Sequence, residues 1–305
     1  MVKLKLEFPQ NFFASEERCG YTVSADMKKI WAVELDLLAQ VMHVCQHYSI
    51  PYYVDGGTLL GAIRHDGFIP WDNDIDLVML RDDYDRFCQI APQQFQDPYF
   101  FQTEETDPGS MRGHIQIRNS ETTAILAGER TGRFKFNQGV FIDIFPLDEV
   151  PNVMEELDQF ATELDYTCTR AAKKAEWTAR YQTASVLWQR PVKYMRHCIA
   201  ELLHVSYKKE YQAYLATQKK YHHQNTGFVA DTIWCPCSSN GQSPIAIENY
   251  RSSLLHKFEF LEVPVPVGYE HVLNILYGDW HKFVIGNDDH GRVFFDTDNP
   301  YTKYI

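Results

Sequence analysis

The residues best suited to chemistry lie in two short runs, Val54-Asp55-Gly56-Gly57-Thr58 and Pro70-Trp71-Asp72-Asn73-Asp74-Ile75-Asp76. On a strand, residues two apart face the same way, so Asp74 and Asp76 are expected to project side by side. Two adjacent carboxylates repel, and one tends to keep its proton. A hard divalent cation, Mg²⁺ or Mn²⁺, removes the conflict because it takes carboxylate oxygens together with substrate phosphate oxygens. Such a metal neutralises charge on a leaving phosphate and orients the attacking group. Gly56-Gly57 directly precedes an expected helix, where small residues let backbone N–H groups approach a phosphate at the positive helix end. Arg64 follows one to two turns later and can pair with a phosphate as a fork. In Val140-Phe141-Ile142-Asp143-Ile144-Phe145 a lone carboxylate interrupts an apolar strand, and a buried charge needs a partner. The metal of Asp74 and Asp76 is that partner if the strands are neighbours. Asp143 could also accept the proton of an acceptor hydroxyl.

Each feature alone also fits a plainer role. An Asp-x-Asp pair is often a solvated turn, and Gly-Gly before a helix is often only a turn. Asp143 could be an N-cap or an internal hydrogen-bond partner. Asp72 and Asn73 read as loop residues, and His65 and His114 as structural. The combination is what points to phosphate chemistry.

These residues need a scaffold. Apolar positions from Met27 to Cys45 follow helical spacing, which predicts a helix over 26–48 with Ser24 as N-cap. A short strand over 52–54 runs into Gly56-Gly57, and a helix is expected over 58–65, closed by Asp66-Gly67. Alternation predicts a strand over 74–80, followed by a helix over 82–91 whose first-turn acids suit its dipole. Further strands are expected over 99–102, 114–118, 122–126 and 139–145. Residues 151–223 read as helical and basic, interrupted at Pro191; 257–263 reads as a strand and 268–280 as a helix. The expected fold class is α/β (α+β): a small mixed sheet flanked by helices, with a catalytic core over 24–150 and a helix-rich region over 151–305.

At 305 residues, 45% hydrophobic and 23% charged, the composition is that of a globular chain with a substantial core. The first residues lack the apolar core of a signal peptide, and no run of about 18 apolar residues occurs, so a cytoplasmic protein is expected. Seven scattered cysteines fit reduced thiols, and Cys235-Pro-Cys237 is too tightly spaced for the usual zinc knuckle. The net charge of −12 is unevenly spread. From Tyr166 to His223, eleven Lys or Arg stand against three Glu, a net of +8 that leaves −20 for the remainder. Such a basic, aromatic-bearing stretch suits a membrane surface; the acidic chain as a whole argues against nucleic acid.

The run GGTLLGAIRHDGFIPWDNDIDLVM (56–79) closely resembles the signature of the LicD family, whose members include phosphocholine and phosphoribitol transferases. RNSETTAI (118–125), VFIDIFPLD (140–148) and LYGDW (276–280) resemble further family segments. The resemblance implies membership of the nucleotidyltransferase superfamily, with metal held by Asp74 and Asp76 and with Asp143 as third ligand or base. It implies a donor site that includes Gly56, Gly57, Thr58, Arg64 and Arg118. It also implies a cytidine-diphosphate (CDP) alcohol as donor, with the phospho-alcohol, phosphocholine as first choice, passing to a glycan hydroxyl that could be lipid-linked. Addition of a nucleoside monophosphate to a small molecule is the competing expectation. Asn73 departs from the family pattern but would point away from Asp74 and Asp76 on a strand. The tail from Ile285 matches no family motif.

Overall fold

The computed structural model describes residues 1–129, 136–182, 188–202, 207–233, 243–285 and 293–305. A hairpin of β1 (Glu16–Arg18) and β2 (Tyr21–Val23) leads into α1 (Ala25–Tyr48). Ser24 caps α1 as expected, its Oγ accepting from Met27 N at 3.1 Å. Trp31, Leu35, Leu38 and Val41, the helical-spacing residues, are fully buried against the sheet that follows.

That sheet holds β3 (Tyr53–Val54), β4 (Asp76–Leu80), β5 (Tyr99–Gln102), β6 (Ile115–Asn119) and the long β8 (Val140–Glu149), besides two later strands. Between β3 and β4 runs α2 (Gly56–His65), and α3 (Arg81–Ile90) follows β4. β7 (Thr123–Leu126) lies outside this sheet. β8 is the central strand: it pairs parallel with β4 and antiparallel with β6, and its far end pairs antiparallel with β9 (Phe228–Asp231). Its almost continuous burial is what a strand with neighbours on both edges requires.

After β8 the chain makes a helical excursion, α4 (Met154–Gln182), α5 (Gln189–Leu202) and α6 (Tyr207–Gln218), before β9 returns it to the sheet. Phe160 and Leu164 of α4 pack with Tyr211 and Tyr214 of α6 in a second core. β10 (Ile245–Ala246) extends the sheet beyond β9. The hairpin of β11 (Ser253–Phe258) and β12 (Leu261–Pro266), then α7 (Tyr269–Tyr277), pack back on the region of β3 and α2. The fold is α/β, as expected from the sequence.

Three local expectations are corrected. Strand pairing begins at Asp76, so Asp74 and Asn73 precede β4 and alternation does not orient them. Residues 257–263 are the tip of the β11–β12 hairpin rather than one strand. Glu259 takes the left-handed φ of 58° there, and its carboxylate is anchored by Arg18 and by Phe68 N. Pro191 does not interrupt a helix but sits in the first turn of α5, where a missing N–H costs no bond. The unmatched tail supplies β13 (Val293–Asp296), which pairs antiparallel with β7. Cys235 and Cys237, and the first part of the tail, lie outside the described residues.

Candidate functional site

Three carboxylates meet where α2 begins and where β4 and β8 run side by side. The parallel register sets Asp76 opposite Asp143, and Asp143 N donates to Ile75 O at 2.9 Å. Asp55, at the end of β3, donates its N–H to Asp76 O at 3.0 Å. Asp76 N in turn donates to Thr58 Oγ1 at 2.9 Å, so the buried Thr58 hydroxyl fixes the start of β4. Gly56 has a φ of +52°, and a Cβ there would lie 3.3 Å from Asp76 Oδ2. A Cβ on Gly57 would lie 2.5 Å from Asp72 Oδ2, so both glycines leave room for acids at the first turn of α2. Asp72 is therefore part of this site.

The electrostatics are those of crowded anions. Burial, then Asp74, Asp143, Asp72 and Asp55, push the Asp76 carboxyl well above the usual range. Burial raises Asp55 to about 6, against a lowering contact from the Gly56 backbone. Glu34 of α1 is 1% exposed, and burial followed by Asp74, Asp72, Asp76 and Asp143 drives it strongly upward. The Tyr277 hydroxyl is raised by burial and then by Asp55, Asp76, Asp72 and Asp74. Asp143 alone goes down: burial pushes it up, but His114, a hydrogen bond from Gln116 and Arg112 outweigh it. His114 Nε2 lies 2.9 Å and Gln116 Nε2 2.7 Å from Asp143 Oδ1.

His114 is more than a structural residue. Its Nδ1 lies 3.0 Å from Arg112 O, which can only accept, while Nε2 faces a carboxylate. Each ring nitrogen thus faces an oxygen acceptor, and Asp143 is the one of the two that carries charge when ionised. Arg118 opens the Gln116 side of this chain. It is fully buried, with Nε on Gln102 Oε1 at 2.5 Å, Nη1 on Gly139 O at 2.7 Å and Nη2 on Gln116 Oε1 at 2.5 Å. In this arrangement it positions Gln116 rather than offering a fork to a phosphate. Arg64 Nη1 donates to Trp280 O at 2.8 Å and Lys282 O at 3.1 Å, and its guanidinium lies 4.8 Å from the Phe283 ring centroid. It ties α2 to the segment after α7. His65, lowered to about 4 by burial and then by Arg64, is neutral and accepts from Arg64 Nε at 3.0 Å.

Asp55 Oδ1, Asp76 Oδ1 and Glu34 Oε2 are buried without a hydrogen-bond partner. Orphaned anionic oxygens are costly unless a cation meets them, and this all-oxygen donor set has the hardness that Mg²⁺ or Mn²⁺ takes. Asp74, Asp76 and Asp143 are the residues that could hold it. Among the described residues, three ligand atoms come within 4.8 Å of one another only at Asp82, His222 and His223, on the surface. Around β4 and β8 no three carboxylate oxygens from different described residues come that close together.

Residues 49–172 match the family model described as "LicD/FKTN/FKRP, nucleotidyltransferase domain". The chain carries a LicD-family domain. The lipopolysaccharide cholinephosphotransferase LicD of Haemophilus influenzae is 28% identical over 250 residues, covering 81% of this chain and 88% of that protein. The human ribitol 5-phosphate transferase FKRP is 44% identical over 43 residues, 14% of this chain and 9% of that protein. An uncharacterized protein of Rickettsia typhi, RT0683, is 49% identical over 45 residues, 15% of each chain. The matched LicD span contains Asp55, Asp72, Asp74, Asp76, His114, Gln116 and Asp143. Glu34 and Tyr277 come from outside it.

Sequence reasoning passed over Asp55, Glu34, Gln116 and Tyr277. Asp55 carried a readable signal, an acid between an apolar strand and Gly-Gly. Glu34 had one too, a carboxylate flanked by the apolar Val33 and Leu35 in a helix whose neighbours are all core.

Proposed function

We propose that this protein transfers a phospho-alcohol, phosphocholine as first choice, from a CDP-alcohol to a glycan hydroxyl in a reaction that needs Mg²⁺ or Mn²⁺. The observation that carries the reading is the knot of buried acids around β4, β8 and the start of α2, with orphaned oxygens on Asp55 and Asp76. Such a knot is balanced by a divalent cation bridging to a phosphate-bearing substrate. The names of the LicD-family relatives, a lipopolysaccharide cholinephosphotransferase and a ribitol 5-phosphate transferase, support the transferred group and the glycan acceptor.

Asp74, Asp76 and Asp143 would hold the ion, which supplies charge neutralisation at the departing phosphate. The remaining work falls to the chain itself. The N-terminal turn of α2 offers backbone N–H groups and the positive end of its dipole to the donor phosphates, and Gly56 and Gly57 keep that approach open. Thr58 and the backbone of Ile75 lock Asp76 and Asp143 in register. His114 and Gln116 hold Asp143 as an anion, which suits a ligand better than a base.

The test is incubation with a panel of CDP-alcohols and nucleoside triphosphates plus Mg²⁺. CMP release from one CDP-alcohol, dependent on a glycan acceptor and abolished reversibly by EDTA, is expected. Pyrophosphate release from a triphosphate would mean that a nucleotide is transferred instead, and full activity in EDTA would remove the metal.

A further inference from the structure

α5 carries an apolar stripe that the described protein leaves exposed. Trp188, in the turn before the helix, and Val192, Met195 and Ile199 recur at spacings of four, three and four residues, which puts them on one helix face. They are 72%, 48%, 57% and 50% exposed. Single exposed apolar residues are ordinary, but four in line are not. Arg190, Lys193 and Arg196 lie on the flank and far side of the same helix, against Glu201 as its single acid.

The described aromatics of α6 behave otherwise. Tyr207, Tyr211 and Tyr214 of α6 are turned inward, 7%, 6% and 3% exposed. Arg170 and Lys174 pair with Glu210, Lys219 with Asp85 and Lys220 with Glu163. Those groups hold the second core together, whereas the apolar stripe of α5 stays at the surface. No helix among the described residues is long and apolar enough to cross a membrane.

We propose that α5 lies in the interface of an anionic bilayer, with Trp188, Val192, Met195 and Ile199 at the headgroup–acyl boundary and Arg190, Lys193 and Arg196 toward anionic headgroups. An apolar stripe with a cationic surround is the pattern of an interfacial helix, and an anionic bilayer complements both parts at once. A second copy of this chain would set the same cations against each other. The proposal rests on the exposure and charge of α5, not on the transferase reading, so either can fail alone.

The test is co-sedimentation of the full chain with neutral phosphatidylcholine vesicles and with vesicles containing phosphatidylglycerol. Binding to the anionic vesicles only, weakened by salt, is expected. Met195→Glu with Ile199→Glu should lower partitioning at least about tenfold, as two charges placed in an apolar face would, with the melting temperature unchanged. Should that variant fold poorly, brominated lipids decide: they should quench wild-type fluorescence more than that of Trp188→Phe. Absence of binding at low salt, undiminished binding by the double variant, or equal quenching of the two proteins would overturn the proposal. So would a wild-type dimer, without lipid, that the double variant converts to monomer, because the stripe would then be a self-association surface.

Discussion

Asp76 is where charge and function pull hardest against each other. Without a cation its ionised form is opposed by burial and by four neighbouring aspartates. Asp76→Asn should therefore raise the melting temperature of the metal-free protein above pH 6, while turnover falls by on the order of a hundredfold or more. Lower stability together with lost turnover would make Asp76 a structural residue. Asp55 sets a pH dependence with a definite sign. Its carboxyl is raised from 3.8 to about 6, so the folded state binds more protons than the unfolded between those values. The Asp55 share of the metal-free protein's stability should fall as pH rises from about 4 to 6, by on the order of 2–3 kcal/mol. Ionisation of Asp76 and Glu34, raised well above the usual range, should carry the fall further at higher pH. Asp143, lowered by its partners, acts oppositely, but only as pH drops through and below the ordinary carboxylate range. Thermal melts in EDTA and in Mg²⁺ at pH 5 and pH 7.5 check this. The stabilisation by Mg²⁺ should be larger at the higher pH.

Asp143 and Asp148, both on β8, have different duties. Asp143 faces the site, while Asp148, five residues on and so on the other face, is clamped by Arg81 through Nε at 2.6 Å and Nη2 at 2.7 Å and by Thr232 at 2.6 Å. Both members of the ion pair are buried, and removing one leaves the other uncompensated. Asp148→Ala should cost about 3–5 kcal/mol in urea unfolding, whereas Asp143→Asn should lower the rate with little loss of stability. A chemical denaturation series separates the two. At the start of α2, Gly57→Ala places its Cβ 2.5 Å from Asp72 Oδ2 and must displace that carboxylate. Weaker donor binding with a near-normal melting temperature is expected; unchanged donor KM would mean that the turn plays no part in holding the phosphates.

Across the chain, the −12 net charge divides into +8 over residues 166–223 and −20 for the remainder, to which the acidic first turn of α4 belongs. The helical excursion is joined to the sheet by Lys219–Asp85 and by the shared packing of Val150, Ala230 and the tyrosines of α6. Tyr214, 3% exposed, sits at that junction, and Tyr214→Ala should destabilise the protein by about 3 kcal/mol through the cavity it leaves. Calorimetry should show whether α4 and α6 melt with the sheet, since the shared core predicts one transition rather than two. The expectation that the aromatics of 166–223 form a membrane edge is corrected for Tyr207, Tyr211 and Tyr214, which are core. Trp177 and Tyr181 lie outside the described side chains.

Much of the fold was legible in local pattern. The cap at Ser24, the helical stripe of α1, the apolar run of β8 and the Gly-Gly before α2 are short-range features, and backbone geometry reads them without knowing the rest of the chain. Asp74, Asp76 and Asp143 were nameable because an acid set in or beside an apolar strand must find a cation or a hydrogen-bond donor to stay there. What required the folded chain was proximity. Only the parallel register of β4 and β8 sets Asp76 opposite Asp143, and only the packing of α1 brings Glu34 within electrostatic reach of them. The destinations of Arg64 and Arg118 were equally hidden, because an arginine reads the same whether it meets a phosphate, a carbonyl or a glutamine. Those partners are separated by up to 218 residues, and no local spacing encodes a contact of that range.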